Sequence, residues 1–329
     1  MKKSQKRIGI IFLLLLIMIA AGVLGGPVKL SLRDLRELVN DDGLTAAGRI
    51  ILHVRLPRVA GAVIAGMGLA VAGAIIQTIF NNPLAGPNLI GVNSGAGLAV
   101  VLAGVILPGS YRILPLAAFA GALLTVLFVY FLGKRTGSSK ITLILAGIAI
   151  NSLLSGAADA VYTFSETSLI AGNAFKIGGL SNIHTTTLQY AAVAVVLAVL
   201  LSLLLHNELE VLSLGEDTAK TLGLPVAFYR FLFLMLAAVL SGAAVSFAGL
   251  LGFIGLIIPH IARMLVGEES KYFILASALL GALFLLACDY AARTWFAPYE
   301  LPVGIILSFL GAPFFIWLLF RGKRRGQNA

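Results

Sequence analysis

Two arginines at the mouth of an apolar run are the first residues that suggest a specific chemistry. Arg55 and Arg58 enclose Pro57 in the sequence RLPR, and no charged residue follows between 59 and 80. Pro57 suits the first turn of a helix. Both guanidinium groups then lie at the positive end of the helix dipole, which disfavours each by a few tenths to about 1 kcal/mol. Arginine pairs in a bidentate manner with carboxylates and phosphates, so a lipid phosphate and a carboxylate of a partner protein both remain open as the compensating anion.

A second group of charged residues lies in the loop 206–227, within LSLGEDTAKTLGLPV. Gly215 and Gly223 bracket a short polar segment that carries Glu216, Asp217 and Lys220. Acidic residues in a first turn suit the helix dipole, so the pattern predicts a short helix. Such a helix could anchor in the membrane interface or dock into a partner protein. Because it is acidic rather than basic at its start, the protein partner is favoured.

Several kinds of chemistry are missing from the sequence. There is no G-x-x-x-x-G-K-[ST] phosphate loop, so the chain is not expected to hydrolyse ATP itself or to be an enzyme. Cys288 is the single cysteine, which excludes an intrachain disulfide and a cysteine-based metal cluster. His260 and Arg263 share a helix face in FIGLIIPHIAR, 253–263, where a metal site, a proton relay and anchoring of the helix end are the alternatives. Further metal ligands are lacking, and anchoring of the helix end is the default interpretation. Neither a metal nor a cofactor is predicted.

The composition identifies the environment in which these residues must be positioned. Of 329 residues, 59% are hydrophobic and 12% are charged, and the mean hydropathy is +1.00. A soluble domain carries about a quarter charged residues, so this is a polytopic membrane protein. The net charge of +10 comes from basic residues scattered among loops and termini, which indicates membrane anchoring rather than nucleic-acid binding.

The hydrophobic pattern predicts an all-α membrane protein, a bundle of about ten transmembrane helices in a single domain, 1–329. A span needs roughly 20 apolar residues, and one run after residue 228 is split into two spans because three glycines crowd its middle. The first span is expected to be uncleaved. The predicted spans are 8–25, 59–80, 89–107, 113–132, 141–161, 188–205, 228–247, 250–265, 272–291 and 301–320.

The distribution of basic residues orients this bundle. An even number of spans puts both termini on one side, and with that side cytoplasmic the inner segments hold 15 of the 24 Lys and Arg, as the positive-inside rule requires. Six of the other nine fall in the outer loop 26–58. A Ser31-to-Asp34 capping pattern there predicts a short helix at 31–39 on the outer surface.

The second span has a distinctive face of small residues. Ala62, Gly66, Ala70 and Ala74 recur at every fourth position, and small residues allow helices to approach closely in lipid. This span is therefore expected to be surrounded by other helices.

No charged residue is placed at the predicted membrane midplane, whereas an ion-coupled secondary transporter usually displays one.

Taken in order, several motifs resemble one family closely over about residues 30–320. The sequence resembles the FecCD family of permeases, which are the membrane subunits of binding-protein-dependent ABC importers for iron–siderophore complexes, haem and vitamin B12. One departure from the family pattern is AFKIGGLSN, 174–182. The motifs that carry the resemblance are RLPR at 55–58, Gln77, NPLAGP at 82–87, GVNSGAG at 91–97, GEDTAKTLG at 215–223, GFIGLIIPHIAR at 252–263 and ELPVGIILSFLGAPFFIWLL at 300–319.

The resemblance implies an assembly in a bacterial cell membrane. Two permease subunits, identical or homologous, would pair around a translocation path, two ATP-binding subunits would lie below, and an extracytoplasmic solute-binding protein would dock above. An iron(III)–siderophore complex is the first expectation for the solute, with haem, cobalamin and a stand-alone secondary transporter as alternatives. The implied site residues are Arg55, Arg58 and Arg293 for binding-protein docking; Gly215, Glu216, Asp217, Lys220 and Gly223 for ATPase coupling; and Asn151, Ser152, Ser155 and Ser308 for the path.

Overall fold

The computed structural model describes residues 2–28, 46–110, 112–135 and 140–326, and every regular element within these ranges is helical. The predicted outer helix at 31–39 lies outside them. A π-helical turn, Ile51–Arg55, and a 3-10 turn, Pro87–Ile90, precede α3 and α4. The helices are α1 (Lys2–Leu24), α2 (Ala46–Ile50), α3 (Leu56–Phe80), α4 (Val92–Ile106), α5 (Leu114–Arg135), α6 (Lys140–Phe164), α7 (Glu166–Ile177), α8 (Thr185–Leu204), α9 (His206–Ser213), α10 (Glu216–Thr221), α11 (Val226–Ala248), α12 (Ile254–Val266), α13 (Ser270–Thr294) and α14 (Val303–Gly326).

Ten of these helices correspond to the ten predicted spans, which confirms the predicted fold class. Seven are long and apolar enough to cross a membrane by length and composition. Three are shorter: α4, α12 and the apolar part of α14, Val303–Leu318. The 13 residues of α12 extend only about 20 Å at the helical rise, against a hydrocarbon core of about 30 Å. Helix α12 is therefore too short to span the hydrocarbon core by itself.

Helix α3 lies at the centre of the bundle and packs against α8, α11, α12 and α13. Its small residues explain this position: Ala62, Ala70 and Ala74 have no exposed surface. A Cβ atom on Gly66 would collide with the backbone of Gly281 in α13. The prediction that this span is surrounded by other helices is therefore confirmed.

The break between α11 and α12 falls where the glycines predicted it. Gly249 adopts a positive φ of 70°, a conformation that glycine adopts without steric cost. Two backbone hydrogen bonds join this break to the C-terminal end of α7. The Leu250 N–H donates to the Phe175 carbonyl, and the Gly179 N–H donates to the Ala248 carbonyl, each at 2.9 Å. Non-helical backbone at membrane depth is tolerated only when it is buried in protein or lines a water-filled cavity.

A polar contact near the inner end joins α3 to α12. The Arg263 Nη1 donates to the Gln77 Oε1 at 2.5 Å, and the Gln77 Nε2 donates to the Gly255 carbonyl at 3.2 Å. The guanidinium of Arg263 also lies 4.5 Å from the ring centre of Phe273. Arg263 therefore contacts Gln77 of α3 and Phe273 of α13 near the inner end of α12.

Candidate functional site

The outer ends of α3 and α13 are joined by an ion cluster. The Arg58 Nε donates to both carboxylate oxygens of Asp289, at 2.9 and 3.1 Å, and the Arg58 Nη1 donates to Glu300 at 2.6 Å. Arg58 is 6% exposed and Asp289 is fully buried. The compensating anions of Arg58 are therefore two carboxylates from the same chain.

The two other outer arginines are buried as well and tie α1 to this cluster. Arg55 donates to the carbonyls of Leu24, at 2.6 Å, and Val28, at 2.5 Å. Arg293 donates to the Gly22 carbonyl at 2.5 Å, and its Nε lies 3.6 Å from Asp289. The structure thus brings together all three arginines that were predicted to dock a binding protein, with their guanidinium groups already in contact with this chain.

The exposed rim of the cluster is acidic and aromatic rather than basic. Glu300 keeps 39% of its side chain exposed, while Trp295 and Tyr299 in the same loop are 78% and 79% exposed. The sequence analysis did not predict that Glu300 pairs with Arg58. One signal was available for the cluster, since Asp289 and Arg293 are four residues apart in a helix and so share a face.

The residues predicted to line a path are only partly brought together. Asn151 and Ser155 line a cavity of about 270 Å³ at α4, α6 and α7. Ser152 and Ser308 are exposed on α6 and α14 but do not line it. Their hydroxyls donate to carbonyls one turn earlier in their own helices, at 3.1 and 2.9 Å, which leaves these faces weakly polar.

Most side chains that line this cavity are polar, an arrangement that the sequence reasoning anticipated only at two positions. The Asn151 amide donates to the Asn88 carbonyl at 2.6 Å, and its oxygen accepts from Ser94 at 2.5 Å. The remaining lining residues are Asn93, Gly97, Leu98, Ala158, Asp159, Tyr162, Lys176 and Leu250.

The predicted polar helix of the inner loop is α10, six residues long, between Gly215 and Gly223. Both glycines have positive φ, 102° and 81°, which explains why glycine stands at each end. Glu216 accepts from Arg230 of α11 at 2.6 Å and pairs with Lys220 at 3.1 Å. The hydrogen bond from Arg230 lowers the pKa of Glu216, and that from Lys220 acts in the same direction against burial.

The two acidic residues of α10 have different environments. Glu216 is half-buried against Arg230, whereas Asp217 is exposed. Leu214 and Leu222, on either side of the helix, are 57% and 62% exposed. The exposed surface of the loop therefore combines one carboxylate, one ammonium and two large apolar side chains. Within the part of the chain that the structure describes, no group of three His, Cys, Asp or Glu is placed to hold a metal ion.

Comparison with known proteins finds similarity over nearly the whole chain. The sequence profile of the FecCD transport family matches residues 13–321. The hemin transport system permease protein HmuU of Yersinia pestis is 38% identical, with 98% of each chain covered. The iron(3+)-hydroxamate import system permease protein FhuB of Bacillus subtilis is 39% identical over 92% of this chain and 79% of its own. A solved metal-chelate type ABC transporter in an inward-facing conformation is 31% identical, with a TM-score of 0.84 and 96% and 99% coverage.

Proposed function

The chain belongs to the FecCD transport family, and on this premise we propose that it is the permease subunit of an ATP-driven importer of iron(III) chelates in a bacterial cytoplasmic membrane. The observation that carries the proposal is the extent of the similarity. The family profile and a 38% identical hemin permease both cover nearly the full chain. A match of this extent includes the inner loop, the outer cluster and all ten apolar helices.

ATP hydrolysis is assigned to a pair of separate subunits on the cytoplasmic side. The chain has no phosphate loop of the G-x-x-x-x-G-K-[ST] type. The loop 206–227 would be the coupling element, because Leu214, Asp217, Lys220 and Leu222 present an exposed mixed surface there. A stand-alone, ion-coupled transporter would have no evident use for such a surface.

The translocation path is assigned to the interface between two permease subunits, identical or homologous. Helix α6 supports this assignment, because it is mostly exposed within one chain and, unlike the similarly exposed α1, it has a polar exposed face near its outer half. Its exposed face carries Ser152 and Ser155, and α14 carries Ser308. A second subunit would cover these faces and enclose a weakly polar passage.

An extracytoplasmic solute-binding protein is proposed to dock on the outer cluster. Arg55, Arg58 and Arg293 would act there chiefly by holding the ends of α1, α3 and α13 in one arrangement. Direct pairing of Arg58 with a carboxylate of the binding protein would require the displacement of Glu300, which is the exposed member of the cluster. Salt should weaken docking that depends on such pairing.

The substrate class is proposed from the names of the relatives. One is a hemin permease and another an iron–hydroxamate permease, and both names denote iron held by an organic chelator. An iron(III)–siderophore complex is the first choice. Haem is the second candidate, because the hemin permease matches the chain over its full length.

A deletion strain of the host tests this proposal. Growth under iron limitation would be measured with haem, a ferric siderophore or an inorganic ferrous salt as the source. Loss of growth on one chelate, with normal growth on the ferrous salt and rescue by the intact gene, is expected. Co-purification of an ATP-binding subunit with the tagged chain is expected as well. Unimpaired uptake of every iron chelate by the deletion strain would contradict the proposal.

A further inference from the structure

A stripe of polar side chains runs along the exposed side of α6 towards its outer end. Asn151, Ser155, Asp159 and Tyr162 follow one another at spacings of four, four and three residues, so they share one face of the helix. Asp159 keeps 66% of its side chain exposed. Because a charged side chain in contact with lipid is costly, this face is expected to border water within the assembly.

The outer part of the stripe meets a cation from another element. Lys176, near the end of α7, places its Nζ 3.2 Å from the Asp159 carboxylate and 4.6 Å from the ring centre of Tyr162. All three residues line the 270 Å³ cavity, and the non-helical Leu250 lines it from the break between α11 and α12. An ammonium group is thus held at the outer end of this cavity.

The inner and outer parts of the cavity differ in how firmly their polar groups are held. Asn151 is fixed by hydrogen bonds to Ser94 and to the Asn88 carbonyl. The Lys176–Asp159 pair is 47% and 66% exposed, and exposed pairs of this kind contribute about 0–1 kcal/mol. Lys176 also has a flexible stem and three donor hydrogens. It can therefore exchange Asp159 for another anion at little cost.

The cavity offers more hydrogen-bond donors than negative charges. Lys176, Tyr162, Asn93 and Ser155 can all donate, while Asp159 is the single carboxylate among the lining residues. We propose that Lys176, with Tyr162 and Asp159, forms a solute-contact site that binds anionic oxygen atoms of a negatively charged ferric chelate. Lys176 transfers from Asp159 to the chelate when an anionic oxygen of the solute reaches the cavity. This site rests on the proposed function and adds to it a preference for anionic solutes.

Direct binding to the purified, nucleotide-free transporter tests the site without the selectivity of the binding protein. Two radiolabelled probes are compared, an anionic ferric tricatecholate and a neutral ferric trihydroxamate. Lys176→Gln is expected to raise the Kd for the anionic probe about tenfold, which corresponds to ~1.4 kcal/mol, and to leave the Kd for the neutral probe within about twofold. Asp159→Asn removes the competing anion, so it should bind the anionic probe at least as tightly as wild type.

Arg112→Gln is the matched control, because it removes an exposed outer cation that does not line this cavity and should alter neither Kd. Equal weakening of both probes by Lys176→Gln would assign Lys176 a structural role and overturn the proposal. No change, or no saturable binding of the anionic probe to wild type, would overturn it too. Uptake by the wild-type transporter in vesicles is measured in parallel, because failure to import any ferric chelate would contradict the proposed function itself.

Discussion

Arg58 and Asp289 form an ion pair across 231 residues of sequence, with the guanidinium Nε 2.9 Å and 3.1 Å from the two carboxylate oxygens. Both side chains are almost completely buried. The pair explains how a helix start at the outer surface tolerates arginine despite the unfavourable dipole and the positive-inside bias. The positive charge is neutralised within the protein, and the pair fixes α3 against α13.

The first prediction concerns the stability of this pair. Asp289→Asn leaves Arg58 and Arg293 buried without their shared negative charge, and breaking a buried pair in this way costs about 3–5 kcal/mol. The purified variant in detergent should therefore unfold at a clearly lower temperature than wild type. Asp159→Asn is the matched control, because that carboxylate is mostly exposed and its loss should change stability by less than about 1 kcal/mol. Equal melting temperatures for wild type and Asp289→Asn would contradict this role.

The anions that pair with Arg58 could not be identified from the sequence. RLPR predicted that an anion was needed, because a proline and two arginines at a helix start are a local pattern. The identity of the anion depends on which distant helix ends lie beside α3, and no local pattern specifies that. A lipid phosphate and a carboxylate of a partner protein were considered, whereas the carboxylates are Asp289 and Glu300 of the same chain.

The second prediction concerns the pH dependence of α10. The pKa of Glu216 is lowered in the folded protein, mainly by Arg230, so its contribution is present above the unfolded pKa of about 4.3 and is lost as pH falls through the folded pKa. Hydrogen exchange of residues 214–224, corrected for the intrinsic rate, should show constant protection from about pH 7 to 5 and a loss of about 1 kcal/mol at lower pH. Glu216→Gln should show reduced protection without that acid transition. A transition above pH 5 in wild type would contradict this assignment.

The third prediction separates docking from internal structure in the coupling loop. Asp217→Lys reverses an exposed charge without touching the Glu216–Arg230 pair, so the protein should insert and fold normally. Co-purification of the ATP-binding subunit and ATP-driven uptake should both fall severalfold. Glu269→Lys, an exposed carboxylate at the start of α13, is the matched control and should retain most of both. If Asp217→Lys keeps wild-type uptake and co-purification, the loop does not dock through this face.

The fourth prediction tests the glycine contact at the centre of the bundle. Gly66→Ala places a Cβ atom against the backbone of Gly281, where neither helix can yield cheaply, so a loss of about 1–3 kcal/mol is expected. Gly9→Ala is the control, because nothing lies within 4 Å of the added atom and alanine favours a helix. The temperature of thermal unfolding should be lowered by Gly66→Ala and not by Gly9→Ala. Equal effects of the two changes would show that helix propensity, rather than packing, decides.

Local patterns were sufficient for the ten apolar helices but not for α7, α9 or the cavity beside α6. Runs of apolar residues predicted ten helices, and the glycines at 249–255 predicted the break between α11 and α12. The Lys176–Asp159 contact joins residues 17 positions apart, one near the end of α6 and the other in the last turn of α7. The contact therefore depends on how α7 packs against α6. The predicted span 250–265 was already short, but its start was placed four residues early, because hydropathy reports apolar residues and not the residue at which a helix begins.

Uptake by proteoliposomes is the most direct test of the central claim, that this chain conducts a ferric chelate under the control of ATP hydrolysis in a separate subunit. The vesicles would contain this permease and its ATP-binding subunit, with ATP on the side of α10, loaded binding protein on the other side, and ionophores that abolish ion gradients. The expected result is accumulation of the labelled chelate that requires ATP and stops when the ATP-binding subunit is replaced by a hydrolysis-deficient variant. Accumulation driven by an ion gradient without ATP or the ATP-binding subunit would contradict the claim.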